Sequence, residues 1–293
     1  MKIIIKIFTI MLTLTATVFS SSTVGEDTIS SDIEWNSDTV LINSDITIDS
    51  GAILTISAGT RVLFTGRHNI DVKGAIKALG TVSETIVFSG ADTSAGWNGI
   101  IHSFINPAND SIIYEYCRFQ YGKTGGARSR GGALYFQNSK AARITSCEFL
   151  FNTASEGGAV YILDSDSIKI ENCYFTKDSA STGAAISFSN SDNNILSECV
   201  FSECNSEFSG AVVSLSQSNI LIRNCEIRES GDSRKTAGIE LYGSSSDIIN
   251  VLISGNKGHG IDLNGSSPRI INSTIAGNGE YGININTSNL EIS

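Results

Sequence analysis

Apolar and polar residues alternate along most of this chain in short runs, each closed by a cluster of Gly, Ser, Asn or Asp. In "SIKIENCYF" (residues 167–175), Ile168, Ile170, Cys173 and Phe175 share one side, while Lys169, Glu171 and Tyr174 mostly take the other. A period of two marks extended strands rather than helix. The runs also repeat. Cys117, Cys147, Cys173, Cys199 and Cys225 are spaced by 30, 26, 26 and 26 residues. Each is followed two places on by Phe119, Phe149, Phe175, Phe201 or Ile227. A second column opens with glycine: "GGALYF", "GGAVYI", "GAAISF" and "GAVVSL", then "GIEL", "GIDL" and "GINI". From Gly238 to Gly260 to Gly282 the period shortens to 22.

Short strands at a fixed period cannot bury a face alone, so they must stack. The pattern predicts an all-β chain, a single-stranded parallel β-helix (solenoid) of about ten coils at the strand spacing of ~4.8 Å. Stacking sets like residues over like. The Cys and Phe columns then fill the interior, and Asn, Asp and Ser columns hold the turns, where they accept local backbone bonds. Residues 111–293 form the regular repeats, and residues 35–110 a looser N-terminal cap and first coils, with "IEWNSDTVLI" shielding the open end of the core. "GININTSNLEIS" stops in mid-coil, leaving the C-terminal end open. An open ladder is expected to meet a continuation of the chain or a partner that caps it.

The residues preceding this rod read differently. "MKIIIKIFTIMLTLTATVFSSS" has Lys2 and Lys6, an uncharged run from Ile7 to Phe19, then small residues. That is the layout of a secretory signal peptide over residues 1–22, followed by a linker at 23–34. The apolar run is short for a membrane span, so no direct membrane insertion is expected. The chain is expected to be secreted or held at the cell surface.

Repeated "GGA" followed by Leu or Val, alternating with Phe-x-x-Asn as in "FLFN" (Phe149 to Asn152), resembles the passenger repeats of chlamydial polymorphic outer membrane proteins, which are autotransporters. More broadly, the chain from about residue 35 resembles the right-handed parallel β-helix superfamily of pectate lyases, polygalacturonases and adhesins. That resemblance implies a right-handed helix and a surface-displayed adhesive rod.

Charge narrows the partners. Twenty basic residues face 30 acidic ones, and removing the two signal-peptide lysines leaves a net charge of −12. Nucleic acid and anionic lipid reward clustered Lys and Arg, so neither is expected as a partner. A polysaccharide or a host surface glycan is.

The cysteine column lies within disulfide range of its neighbours. In-register parallel strands, however, point their Cβ atoms the same way and fit the disulfide dihedral poorly. Small buried hydrophobes are the expected role, and sulfurs stacked in a line do not converge on a metal. Cys204 falls off the column at a coil corner and is read as free. No cofactor is required; "DSDS" (Asp164 to Ser167) with Asp192 one coil above is the calcium candidate, with Asx turns as the plainer explanation.

Three sets of residues carry candidate chemistry. In "GHGIDL" (Gly258 to Leu263), similar to a Gly-His-Gly stretch of polygalacturonases, His259 precedes Asp262, and Glu240, Asp262 and Asn284 share an outward column. Carboxylates about 5 Å apart suit a retaining hydrolase. The polygalacturonase Asn-Thr-Asp, Asp-Asp and Arg-Ile-Lys stretches do not accompany them, so a solvated acidic face is the competing reading. Tyr135 and Tyr161 form an outward pair on successive coils, able to stack on sugars or only on each other. Arg128 and Arg130, and Arg234 and Lys235, sit in two loops at one corner, with Glu156, Asp178 and Glu207 between them. Asn264, Asn272 and Asn286 are sequons, relevant only in a host that glycosylates. The expected function is non-enzymatic adhesion or glycan binding by displayed loops. The alternatives are a polysaccharide hydrolase or lyase, and a structural stalk.

Overall fold

Each alternating run becomes a strand of two to six residues whose apolar members point inward, as in Thr39–Ile42, where Val40 and Ile42 are wholly buried between half-exposed neighbours. The computed structural model describes residues 20–24, 27–103, 112–125, 129–206, 210–231 and 235–292. The expected signal peptide lies outside these residues except at its last three positions, 20–22. Among the described residues, three parallel sheets of eleven strands each run the length of the molecule. The first extends from Ser21–Val24 to Thr274–Ala276, the second from Thr28–Ile29 to Ile283–Asn286, and the third from Ile33–Trp35 to Glu291–Ile292. Successive strands in the chain visit the sheets in turn, so each circuit is one coil of a parallel β-helix. No helix in the described residues is long and apolar enough to cross a membrane.

Register follows the repeat. Phe88, Phe119, Phe149, Phe175 and Phe201 pair in sequence up the first sheet. Their rings stack at centroid spacings of 4.9, 5.0, 4.6 and 4.7 Å. The five column cysteines are buried free thiols, each bonded through sulfur to backbone carbonyls, as Cys173 is to Glu171 at 3.2 Å. "IEWNSDTVLI" belongs to the coils themselves: Ile33–Trp35 opens the third sheet, Thr39–Ile42 lies second in the first sheet after Ser21–Val24, and Trp35 is only 5% exposed. Strands already occur within 23–34, at Thr28–Ile29 and the start of Ile33–Trp35.

The serine turn column differs from expectation in one respect: the bonds it accepts run between coils, while its hydroxyls donate locally, as Ser165 does to the Leu163 carbonyl at 2.7 Å and Ser191 to the Ser189 carbonyl at 2.8 Å. At the corner from second to third sheet, the amide of each ladder serine donates to the hydroxyl of the next. Ser139 binds Ser165 at 2.9 Å, Ser165 binds Ser191 at 3.1 Å, and Ser191 binds Ser218 at 3.0 Å. These side chains replace the strand ladder where the backbone bends away. The corner from third to first sheet also turns on left-handed residues that are mostly not glycine, including Tyr116, Ser146, Asn172 and Asn224 at φ of 48–54°.

Glycine is required elsewhere. A Cβ on Gly158 would lie 2.1 Å from the carbonyl oxygen of Ala184 on the next coil and 2.6 Å from that of Ser179. Both contacts are backbone, and moving them breaks the ladder. Gly158→Ala is therefore expected to destabilise by about 3 kcal/mol, the upper range for overpacking. The urea midpoint checks this, and an unchanged midpoint would show that the coils slide apart freely.

Candidate functional site

The outward face of the second sheet collects most of the chemistry. One column reads Tyr135, Tyr161, Ser187, Ser214, Glu240, Asp262, Asn284, all in register. The corner leading into the sheet changes length along it. Residues 151–159 and 177–185 form that corner in the 26-residue coils, but only 255–260 and 277–282 in the last two. The longer corner folds over the strand that follows: a Cβ on Gly183 would come within 2.8 Å of Ser187 Cβ. Tyr161, Ser187 and Ser214 are consequently 3%, 5% and 5% exposed although they point outward. Asp262 and Asn284, which follow the short corners, are half-buried, and so is Glu240, although its own corner at 229–236 is no shorter than the one before Ser214.

Glu240 and Asp262 are paired residues on adjacent rungs. Burial, then the neighbouring Asp262 charge, raises the Glu240 pKa, against a hydrogen bond from Ser214 that lowers it. Asn284 Nδ2 donates to Asp262 Oδ1 at 2.9 Å and holds that carboxylate. The arrangement keeps two acids side by side with different surroundings, one pushed up by burial and its neighbour's charge and one held by an amide donor.

His259, beside the acid pair in sequence, is bonded to other residues. Its Nδ1 accepts the Tyr281 backbone N–H at 3.2 Å, so the proton sits on Nε2, which lies 3.2 Å from Glu280 Oε2. Its ring stacks on Tyr281 at 5.5 Å, nearly parallel. Lys235 Nζ binds the other oxygen of Glu280 across two coils. His259, Lys235, Glu280 and Tyr281 thus form one clamp along the edge of the face. Both ring nitrogens of His259 are engaged in it, which leaves none for relaying a proton to Glu240 or Asp262.

The tyrosine pair is real but largely covered. Tyr135 and Tyr161 lie 5.6 Å apart, tilted by 52°, and Arg130 sits 5.1 Å over the Tyr161 ring. Arg130 also pairs with Glu156 at 3.2 Å, and burial, then the hydrogen bond to Glu156, pushes the Tyr161 hydroxyl up to about 12. Tyr161 is a buried backing, while Tyr135 and the side chains of Arg130 and Glu156 are partly exposed. Arg128, Arg234 and Glu207 lie outside the described residues. Asp178, placed by the sequence between the two basic loops, is wholly buried. Cys204 is buried too.

The calcium candidate is engaged in turns. Asp166 Oδ1 accepts the Asp192 amide at 3.0 Å, and Asp192 Oδ1 accepts the Asn219 amide at 2.7 Å. Among the described residues no group of three or more His, Cys, Asp and Glu converges as metal ligands would.

Sequence reasoning missed the most accessible part of the face. Tyr242, two places after Glu240 and on the same side, is 61% exposed. Its column partners are Ser216 below and Asn264 above, so no aromatic ring covers it. Asn286 Nδ2 donates to Asn264 Oδ1 at 3.0 Å, continuing an amide row beside Asp262 and Asn284. Tyr242, Asn264 and Asn286 with Gly243, Gly265 and Thr287 line a shallow depression of about 270 Å³. The missed signal was the size of its neighbours: a tyrosine between serine and asparagine stands clear, whereas Tyr161, against Tyr135 and under Arg130, does not.

A solenoid of stacked parallel coils with ladders of this kind defines the β-helix class. The family described as Right handed beta helix region matches residues 131–293, and the chain belongs to it. No curated protein sequence matches the chain. Among solved structures, it is similar to the periplasmic alginate epimerase AlgG at 12% identity, covering 88% of this chain and 77% of that one, with a TM-score of 0.34. Tailspike protein 3 of bacteriophage CBA120 shares 11% identity over 90% of this chain and 55% of its own, at 0.42. An alginate lyase from Paenibacillus sp. str. FPU-7 shares 11% over 81% and 92%, at 0.30.

Proposed function

We propose that this chain is an exported, non-enzymatic glycan-binding rod whose recognition face is the outward side of the second sheet over its last three coils. The observation that carries this reading is Tyr242, an uncovered aromatic ring beside the hydrogen-bonding row of Glu240, Asp262, Asn264, Asn284 and Asn286. A sugar ring lays its C–H face on such a platform while its hydroxyls meet carboxylates and amides. The acidic character of the row favours a neutral glycan. The signal-peptide pattern of residues 1–22 supports export, and the "GGA" and Phe-x-x-Asn repeats, similar to chlamydial passenger repeats, support display at a cell surface for adhesion.

A second reading rests on the Glu240–Asp262 pair. Adjacent rungs hold the two carboxyls near the separation of about 5 Å used by retaining glycosidases, and the raised Glu240 suits a general acid. The two readings separate in one experiment: glycan-array binding and reducing-sugar release, measured on the secreted chain, Tyr242→Ala, Glu240→Gln and Asp262→Asn. Binding is expected to fall about tenfold in Tyr242→Ala, equivalent to ~1.4 kcal/mol, with no sugar released by any form. Undiminished binding in Tyr242→Ala would remove the platform from the site. Sugar release by the parent, abolished in both acid variants, would establish the hydrolase.

A further inference from the structure

Three residues beyond the phenylalanine ladder, the corner between first and second sheets carries another column: Asn152, Asp178, Cys204, Ser230, Asn256 and Asn278. Its asparagines share one bonding rule. Nδ2 donates to the carbonyl of the core-ladder residue one coil below, Asn152 to Phe119, Asn256 to Ile227 and Asn278 to Ile253, each at 3.1 Å. Cys204 follows the rule through its thiol, which lies 3.7 Å from the Phe175 carbonyl. Meanwhile Oδ1 accepts an amide from the coil below, as Asn152 does from Gly122 at 2.9 Å and Asn278 from Asn256 at 3.1 Å.

Asp178 satisfies only half of this. Its Oδ1 accepts the backbone N–H and the Nδ2–H of Asn152 at 2.8 and 2.9 Å. Its Oδ2 is fully buried without a partner. By register, the place Oδ2 fills is that of the donor to the Phe149 carbonyl, and an ionised carboxylate has nothing to donate. Immediately after Asp178 and Cys204, Ser179–Ala180 and Asn205–Ser206 pair as a small sheet along the corner. Ser179 N is bonded to the Asn152 carbonyl and Asn205 N to that of Asp178, at 2.9 and 3.0 Å.

We propose that Asp178 is a pH-operated latch on this corner: as a neutral acid its Oδ2–H supplies the missing donor, and loss of that proton releases the two corner strands. The side chains facing it do not oppose this. Asn152 lies below; Cys204, above, is a thiol that burial, then Asp178 itself, keeps protonated. Phe149 and Phe175 pack inside, and the flanking Lys177 and Glu203 pair with each other at 3.6 Å on the exterior. Burial pushes Asp178 up to about 8 against the bonds from Asn152. Because the closed corner holds the proton more tightly than the open one, closure is fully favoured below the ordinary carboxylate pKa. It weakens as pH rises towards the closed-state value, by about tenfold per pH unit.

Amide hydrogen exchange on the whole secreted chain tests this. Protection factors of Ser179 and Asn205 are expected to fall about tenfold per pH unit from pH 5 to about 8, then level off. In Asp178→Asn, which restores an Nδ2 donor, they are expected to stay constant. The ¹³C shift of the Asp178 carboxyl at pH 6 gives a reading independent of any variant and is expected to be that of a neutral acid. An ionised carboxyl at pH 6, flat protection in the parent, or the same slope in Asp178→Asn would each overturn the latch.

Discussion

Taking the chain from pH 7 to pH 3 is expected to remove about 4 kcal/mol of stability through His102 alone. His102 points inward from Ile100–Ser103, wholly buried, with its ring stacked on Phe136 at 4.3 Å. Nδ1 lies 3.3 Å from the Tyr135 carbonyl, which can only accept, so it carries the proton. Nε2 is left to accept the Tyr114 hydroxyl at 2.9 Å. The neutral ring is fully satisfied, and a second proton on Nε2 would displace the Tyr114 O–H from its acceptor; burial pushes the histidine pKa down to about 3. A folded pKa below the unfolded one means full stability above about pH 6.5 and progressive loss down to about pH 3, as the unfolded chain takes up the proton first. Replacing both partners, His102→Phe with Tyr114→Phe, removes the titration without orphaning a hydroxyl and is expected to change stability little at pH 7. Urea unfolding at pH 7, 5 and 3 decides it. Equal acid losses in parent and double variant would exclude His102 as the cause. Asp178 acts with the opposite sign, so the difference between the two proteins, rather than the parent's curve, isolates the histidine.

The second large effect is expected from Phe175→Ala, a loss of about 4 kcal/mol. Phe175 is fully buried and stacked between Phe149 at 4.6 Å and Phe201 at 4.7 Å. Truncation removes two aromatic contacts and leaves a void that the flanking rungs cannot close, since both are fixed by strand pairing above and below. In a solenoid each coil is stabilised mainly by its neighbours, so the damage should spread to the coils of Phe149 and Phe201. The expected result is a lower urea midpoint with hydrogen-exchange protection lost around all three. Phe175→Leu should cost much less. Loss confined to one coil would mean that the rungs fold nearly independently.

Much of this architecture was legible in the residues. Alternation placed the strands, and the recurrence of Cys173 and Phe175 every 26 residues placed the ladders, because a coil must present the same cross-section as its neighbour. The column of Glu240, Asp262 and Asn284 followed from the same counting and is in register. Exposure did not follow. Tyr161 and Tyr242 both point outward, yet one is 3% and the other 61% exposed, because Tyr135 and Arg130 lie against the first while only Ser216 and Asn264 flank the second. Asp178 was placed only between the two basic loops, whereas it is an interior ladder rung.

Period and alternation therefore determined the fold, the interior columns and which residues share a face, since these depend only on spacing along a chain that stacks on itself. The tertiary structure alone decided which outward side chains reach solvent, which nitrogens of His259 are engaged, and that Asp178 lies inside. Those properties arise where a corner of one coil meets the coil above, and the path of a corner is set by contacts between residues distant in the chain.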